Sequence, residues 1–366
     1  MKLRFALVGA GWRGMYYVRV AKALPEQFEC VGILCRSAEK AAAVKQRWGV
    51  HTVTDAEDLR TLNPDVVVVA VSKPDIAAVA MEWMSYGFLV CSETPAALDR
   101  TTLEQLWTAS DHGRNLCVAE QYLRYPENIA RTALLKQGWI GEPQYLFLSL
   151  AHDYHAMSLM RAFLKLPCDA GYTVTAAALS FPTVRTLTRQ EAVQDGSVFD
   201  AKRTTALFQF DGGKSALYEF DPEQYRSPIR RNLIKIQGIS GELINRSVSW
   251  LDSKFQAHSA DIETTEHLVV TDDPNPNFHQ YPEVTGISFQ EAELYRPPFG
   301  VCGLSQDETA IAAMLRDLGA YARGEGPVPY SLKDALTDAD MAIDLQEAIR
   351  KGTAVSADKT LPWYLE

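Results

Sequence analysis

The stretch that decides the fold is Leu3-Arg4-Phe5-Ala6-Leu7-Val8-Gly9-Ala10-Gly11-Trp12-Arg13-Gly14. A largely apolar run ends in three glycines, and an amphipathic stretch, Arg13 to Leu24, follows at helical spacing. Each glycine has a separate task in a turn that carries a pyrophosphate. Gly9 permits the tight turn, Gly11 lets the backbone approach the anion, and Gly14 lets helix and strand pack closely. The helix N-terminus then presents free N–H groups and the positive end of its dipole. A glycine-rich turn of some other α/β fold is the alternative. The strand–turn–helix context favours a dinucleotide site.

Outward from this turn, short β-branched runs alternate with helical stretches. Strands are expected at Leu3–Val8, Cys30–Leu34, Asp65–Val71, Phe88–Cys91 and Leu116–Ala119, and helices at Ala38–Trp48, Ile76–Tyr86 and Leu103–His112. Asp65–Val71 is nearly continuously apolar, as a strand buried on both faces of a parallel sheet must be. This alternation implies βαβ units in a doubly wound Rossmann sheet. After a helix near Asn128–Lys136 the pattern changes to longer strands: Tyr145–Ala151, Val174–Leu179, Thr204–Phe210, Lys214–Phe220 and Leu233–Gln237. Asp211-Gly212-Gly213 is a hairpin signature between two of them. A shorter helix is expected at His155–Leu164. Ser253 to Pro298 is polar and rich in Pro, Asn and Thr, and reads as irregular. Two helices, Glu308–Arg323 and Leu332–Arg350, close the chain.

The fold class is therefore α/β: a Rossmann domain over 1–122, then an α+β domain over 123–366 built on an open, mostly antiparallel sheet. The C-terminal helices could pack back on the Rossmann domain. A chain of 366 residues supports about two domains. Hydrophobic residues make up 47% and charged residues 22%, an ordinary globular mix. The net charge of -10 argues against a nucleic-acid partner, which demands a basic surface. No apolar run reaches the ~18 residues a membrane helix needs, so no membrane partner is expected. Met1 to Gly11 runs straight into the glycine turn without a small-residue cleavage site, so no leader is expected. None of the six cysteines forms a Cys-x-x-Cys pair. That suits buried thiols in a cytoplasmic protein.

NAD and NADP are told apart after the second strand, where an acid would hold the ribose 2′-hydroxyl of NAD. Here the residues are Leu34-Cys35-Arg36-Ser37. Arg36 and Ser37 suit a 2′-phosphate, which favours NADP slightly over NAD. The other reading is a solvated arginine beside a helix-capping serine.

Further pieces carry a family resemblance: Asp65-Val66-Val67-Val68-Val69-Ala70, Cys91-Ser92-Glu93-Thr94-Pro95, Arg124-Tyr125-Pro126, Gly138-Trp139-Ile140-Gly141-Glu142, Gly238-Ile239-Ser240-Gly241-Glu242 and Tyr330-Ser331-Leu332-Lys333-Asp334-Ala335. In this order and spacing the chain resembles the Gfo/Idh/MocA family of NAD(P)-dependent oxidoreductases over nearly its whole length. The resemblance implies hydride transfer on a sugar, cyclitol, sugar acid or similar small polyol, and a homodimer or homotetramer paired through the second domain's sheet. The cofactor is expected against Gly9, Gly11, Trp12, Arg13 and Gly14, then Arg36 and Ser37, Val71 and Ser72, Glu93, Thr94 and Pro95, and Gln121 and Arg124.

The chain departs from the family at two positions. The family usually has Glu-Lys-Pro where Glu93-Thr94-Pro95 stands, and Thr94 cannot carry the lysine's charge. The family tends to place His-x-x-Asp on the first helix of the second domain. Here His155 falls at the histidine and Ser158 replaces the acid. The catalytic candidates are thus His155, Tyr154 and Thr94, with His155 as general acid–base. His152 and His155 lie three apart, but no third ligand is evident and no metal is expected. Gln224-Tyr225-Arg226-Ser227-Pro228-Ile229-Arg230-Arg231 is either an exposed basic loop or an anion-binding one. His152, Arg226 and Arg230 are the candidate substrate contacts. Besides an oxidoreductase, two readings remain open: a non-catalytic dinucleotide- or sugar-binding protein, and a dinucleotide-dependent elimination or hydrolysis enzyme.

Overall fold

The four consecutive valines Val66–Val69 have no exposed surface at all, because they form a central strand covered on both faces. The computed structural model describes residues 1–188, 191–273 and 275–365. The chain divides into two units: Met1–Tyr125 with Cys302–Asp340 and Thr360–Glu366, and Pro126–Val301 with Met341–Lys359.

The first unit begins β1 (Leu3–Val8), α1 (Gly14–Ala23), β2 (Phe28–Leu34), α2 (Ala38–Trp48), β3 (Thr52–Val53) and α3 (Ala56–Thr61). It continues β4 (Val66–Val69), α4 (Ile76–Ser85), β5 (Val90–Ser92), α5 (Arg100–Ala109) and β6 (Leu116–Val118). The strands form one parallel sheet in the order β3-β2-β1-β4-β5-β6, the doubly wound Rossmann arrangement. Side chains set several boundaries. Ser37, Asp55 and Asp99 cap α2, α3 and α5 by accepting from backbone N–H groups. Gly49, at φ +64°, ends α2 in the left-handed conformation.

The second unit opens α6 (Pro126–Gln137), β7 (Pro143–Ser149), α7 (Asp153–Leu164), β8 (Tyr172–Val184), β9 (Val198–Phe210) and β10 (Ser215–Phe220). A short 3-10 turn, Pro222–Tyr225, leads to β11 (Leu233–Gly238), β12 (Gly241–Ile244), β13 (Ser247–Leu251) and β14 (Ala257–Asp261). These strands and β18 (Val355–Ser356) form a nine-stranded sheet, β14-β13-β12-β11-β7-β10-β9-β8-β18. Its pairs are antiparallel except β7 with β10. One row of paired residues crosses it: Val174, Phe208, Ala216, Leu146, Ile236, Leu243 and Val248, all 0% exposed. This inner face packs on α7, and the strand residues between point to the other face, as a two-residue period dictates. Gly212 and Gly213, at φ +82° and +90°, make the expected hairpin turn between β9 and β10.

Ser253 to Pro298 is not irregular, and that expectation is corrected. It contains β14 and a separate three-stranded sheet of β15 (Glu263–Val270), β16 (Gln280–Phe289) and β17 (Ala292–Tyr295). The polar composition misled because β15 is largely exposed, while Ile287 and Phe289 of β16 supply the buried face. Pro282 sits where β16 has a strand neighbour on one side only, so a missing N–H is tolerated.

The chain closes with α8 (Gln306–Ala322), α9 (Leu332–Lys351) and α10 (Pro362–Leu365). Ser305 and Glu308 form a capping box that starts α8. The fully buried Glu308 also pairs with Arg19 of α1, so α8 packs on α1 inside the first unit. The first break in the chain falls after Tyr125, three residues beyond the expected boundary, and 302–340 returns to the first unit. No described helix is long and apolar enough to cross a membrane.

Candidate functional site

In the parallel sheet the expected cofactor residues all leave the C-terminal ends of neighbouring strands. Gly9 to Gly14 follow β1, Arg36 and Ser37 follow β2, Val71 and Ser72 follow β4, Glu93 to Pro95 follow β5, and Gln121 follows β6. Open α/β sheets bind their ligands along this edge, at the point where strand order reverses.

The three glycines differ in what surrounds them. Gly9 sits at φ +104°, and a Cβ there would lie 2.5 Å from the Ala70 carbonyl oxygen. A Cβ on Gly14 would lie 2.7 Å from the Gly9 carbonyl oxygen. Both positions are closed by backbone. At Gly11 a Cβ would meet nothing within 4 Å, and the residue is exposed. No side chain caps α1 and no acid stands in its first turn, in contrast to α2. An open backbone approach before an uncapped helix N-terminus fits a dinucleotide pyrophosphate.

Arg13 does not extend from this turn into solvent. Its Nε donates to Glu93 Oε1 at 2.9 Å and its Nη1 to Asp307 Oδ1 at 3.2 Å. In the orientation that satisfies both its ends, the Gln121 amide accepts from Arg13 Nη2 at 2.8 Å and donates to Ala119 O at 2.5 Å. Tyr17 donates to the same Glu93 oxygen at 2.6 Å, and Tyr125 to Asp307 at 2.6 Å. Glu93 is only 7% exposed, so the network neutralises a buried carboxylate beside Thr94 and Pro95, whose peptide bond is cis. Burial opposes the charge on Arg13, but Glu93 and Asp307 outweigh it and hold the guanidinium well above its ordinary pKa. Burial, then Glu93, pushes the Tyr17 phenol far up, and burial, then Asp307, does the same to Tyr125.

The remaining cofactor candidates differ in how committed they are. Arg36 is exposed and makes no hydrogen bond or ion pair among the described residues. Ser37 spends its hydroxyl on capping α2, accepting from the Lys40 N–H at 3.2 Å. Trp12 packs edge-to-face on Tyr16, ring centroids 4.9 Å apart. Val71 is half-buried, and the Ser72 hydroxyl bonds Asp75. Arg124 donates to Asp317 at 2.6 Å and to the Pro329 carbonyl at 3.2 Å, so it braces the first unit from within.

In the second unit, His152 is the N-cap of α7, followed by Tyr154, His155 and Ser158. Tyr154 and His155 are 2% and 3% exposed. Ser158 takes the acid's expected place, but its hydroxyl donates to the His155 carbonyl at 2.9 Å and does not orient the imidazole. What holds this helix start was not legible from residue spacing. Tyr225 places its hydroxyl 2.5 Å from His152 Nδ1, and Gln346 donates to Asp153 at 2.8 Å. The buried Tyr218 hydroxyl accepts from the Asp153 N–H at 3.0 Å and donates to Oδ1 at 3.2 Å. Burial and Asp153 push the Tyr218 phenol far above its ordinary pKa. Among the described residues, no group of three His, Cys, Asp or Glu is placed to hold a metal.

The basic loop divides. Arg226 lies over the Tyr225 ring at 5.9 Å. Arg230 donates to Thr183 Oγ1 at 2.6 Å and lies 3.6 Å from the fully buried Asp221 carboxylate, which Arg203 also approaches at 4.0 Å. Arg230 thus offsets an internal charge.

Residues 3–120 match the family model described as "Oxidoreductase family, NAD-binding Rossmann fold". No curated protein matches the sequence. Among solved structures, levoglucosan dehydrogenase in complex with NADH and levoglucosan aligns at 16% identity and TM-score 0.68, covering 99% of this chain and 100% of that one. An oxidoreductase from Agrobacterium radiobacter, in complex with NAD+, L-tartaric acid and magnesium, aligns at 16% and 0.66, covering 97% and 98%. A myo-inositol dehydrogenase from Corynebacterium glutamicum aligns at 14% and 0.63, covering 98% and 99%. At these identities the structures speak for a shared fold across both units. Residues 3–120, the glycine turn and the sheet that carries it, are thus similar to the Gfo/Idh/MocA oxidoreductase family.

Proposed function

We propose that the chain is an NAD(P)-dependent oxidoreductase acting on a hydroxyl of a small polyol: a sugar, cyclitol or sugar acid. The observation that carries this reading is the turn from Gly9 to Gly14, closed by backbone at both outer glycines and open at Gly11. The family match over the same residues supports it, and so do the levoglucosan, tartaric acid and inositol named for the aligned structures. A bound nicotinamide dinucleotide supplies the hydride acceptor or donor. The chain binds, orients and moves the proton. Gly11 and the start of α1 take the pyrophosphate. Arg36 takes a 2′-phosphate, which favours NADP, and its exposed, unpaired guanidinium supports that preference. His155 accepts the substrate's hydroxyl proton in oxidation and returns it in reduction, with Tyr154 beside it and Thr94 in the lysine's place. His152 and Arg226 contact substrate.

A second reading, cofactor or sugar binding without turnover, is favoured by Thr94 and by the diversion of Ser158 to a backbone carbonyl. Fluorescence titration with NADH and NADPH, then absorbance at the nicotinamide band across polyols and sugar acids, tests both. Absence of dinucleotide binding refutes the first and leaves only the sugar-binding form of the second, and dinucleotide binding with no turnover on any substrate selects the second.

We also propose a homodimer or homotetramer assembled through the outer face of the nine-stranded sheet. Leu179, Leu207 and Leu233 share that face and are 54%, 37% and 38% exposed. A mass of 40.7 kDa by light scattering at micromolar concentration refutes assembly. The six free cysteines suit a reducing, cytoplasmic location.

A further inference from the structure

We infer that a cavity in the second unit, between α6, the β12–β13 turn and β15, binds one small monovalent anion of halide size. The cavity is lined by Glu127 and Arg131 of α6, Asn245 and Arg246 of the turn, and Thr264 of β15. None of these residues is a cofactor or substrate candidate. Two guanidinium groups against one carboxylate leave one net positive charge. Arg131 is 6% exposed, and it donates to Asn128 Oδ1 at 2.7 Å through Nη1 and to Glu127 Oε2 at 3.0 Å through Nη2. Its Nε is buried and meets no acceptor among the described residues. Glu127 is a weak counter-charge, because its side chain is 49% exposed and water screens it. Burial lowers the Arg131 pKa, and Glu127 raises it by less. A buried charge left under-compensated favours an anion beside it.

The turn holds its two side chains in place. Asn245, left-handed at φ +52°, is fixed to β11: its N–H donates to the Ile234 carbonyl at 2.8 Å, and its Oδ1 accepts from the Ile234 N–H at 3.0 Å. Arg246 donates through Nε and Nη2 to the Ile262 carbonyl, at 3.1 Å and 3.0 Å. Asn245 Nδ2 and Arg246 Nη1 then meet no acceptor among the described residues, and neither does the Thr264 hydroxyl. With Arg131 Nε, the cavity is lined by four side chains that each keep an unused N–H or O–H. The space they enclose holds about one water-sized atom. A water oxygen has two lone pairs and serves two such donors. A halide serves all four and cancels the net charge. Asn245 and Arg246 are exposed, which leaves the ion a way in from solvent. Bound there, it ties α6 to both sheets of the unit.

Crystals soaked in sodium bromide test the site directly, because bromide scatters anomalously and water does not. The expected result is a bromide peak in this cavity that is absent from Arg246→Gln. Water alone in the wild-type cavity under the same soak overturns the inference. In solution, chloride replaces the bulkier methanesulfonate at constant ionic strength while the full chain is melted. Near saturation, each tenfold rise in chloride should raise the melting temperature by about 2–4 °C. Arg246→Gln should abolish this dependence. Thr264→Val keeps a branched side chain suited to a strand and removes only the hydroxyl, so it folds and should raise the chloride midpoint about 10-fold or more. No chloride dependence in the wild type, or an unchanged midpoint in Thr264→Val, overturns the inference, and either result decides it even where Arg246→Gln fails to fold.

Discussion

Replacing Gly11 with alanine separates binding from folding more cleanly than any other change in the turn. The added methyl meets no protein atom within 4 Å, and the backbone there lies outside the left-handed region. Folding stability should therefore stay level or rise by as much as about 1 kcal/mol, because alanine narrows the unfolded ensemble. Under the proposed function the pyrophosphate uses the same open space. A methyl forced against a close-packed ligand costs about 1–3 kcal/mol, which is roughly a 5- to 150-fold rise in Kd. Gly9→Ala is the contrasting control. Its φ of +104° and the carbonyl 2.5 Å from the new Cβ place the damage in the fold itself. Isothermal titration with NADH and NADPH, paired with thermal melts, reads both quantities. Unchanged affinity in Gly11→Ala refutes the assignment of that space to the cofactor. A collapsed melting temperature in Gly11→Ala refutes the claim that the space is empty of protein.

Other outcomes follow from the same geometry. His155→Ala should cut turnover by about 100- to 10,000-fold with dinucleotide affinity nearly unchanged, and a full rate in steady-state assays removes His155 from proton transfer. Arg36→Ala should weaken NADPH far more than NADH in fluorescence titrations, and equal losses mean that Arg36 does not meet a 2′-phosphate. The fold should also lose stability in alkali. Burial raises the phenols of Tyr17, Tyr125 and Tyr218 above their ordinary value of 10.0, so the folded state keeps protons that the unfolded state releases. Their contribution is complete below pH 10 and falls above it, by up to about 1.4 kcal/mol per pH unit for each tyrosine. Urea midpoints at pH 8, 10 and 11 measure this, and a flat profile contradicts the buried, neutral state of these side chains.

The amino-acid sequence alone determined the Rossmann half almost element by element. Its strands are continuous apolar runs and its punctuation is glycine and capping residues, and both act over a few neighbouring positions. Ala38–Trp48 was legible to the residue because Ser37 and Gly49 mark its ends locally. The sheet β15–β17 was hidden, since exposed strands carry the same Thr, Glu and Pro as loops. Pairing between β15 and β16 reveals them, and register is a relation between distant residues. The site divides in the same way. Gly9, Gly11 and Gly14 declare themselves because a backbone requirement is written in one residue type. Arg13 could equally have met a phosphate, and only the folded chain brings Glu93, Gln121 and Asp307 to its three donors. Tyr225 stands 73 residues from His152, and no spacing rule joins them. The tertiary structure alone decided which polar groups meet, because a charge or hydroxyl taken from water bonds whatever partner the packing leaves within reach.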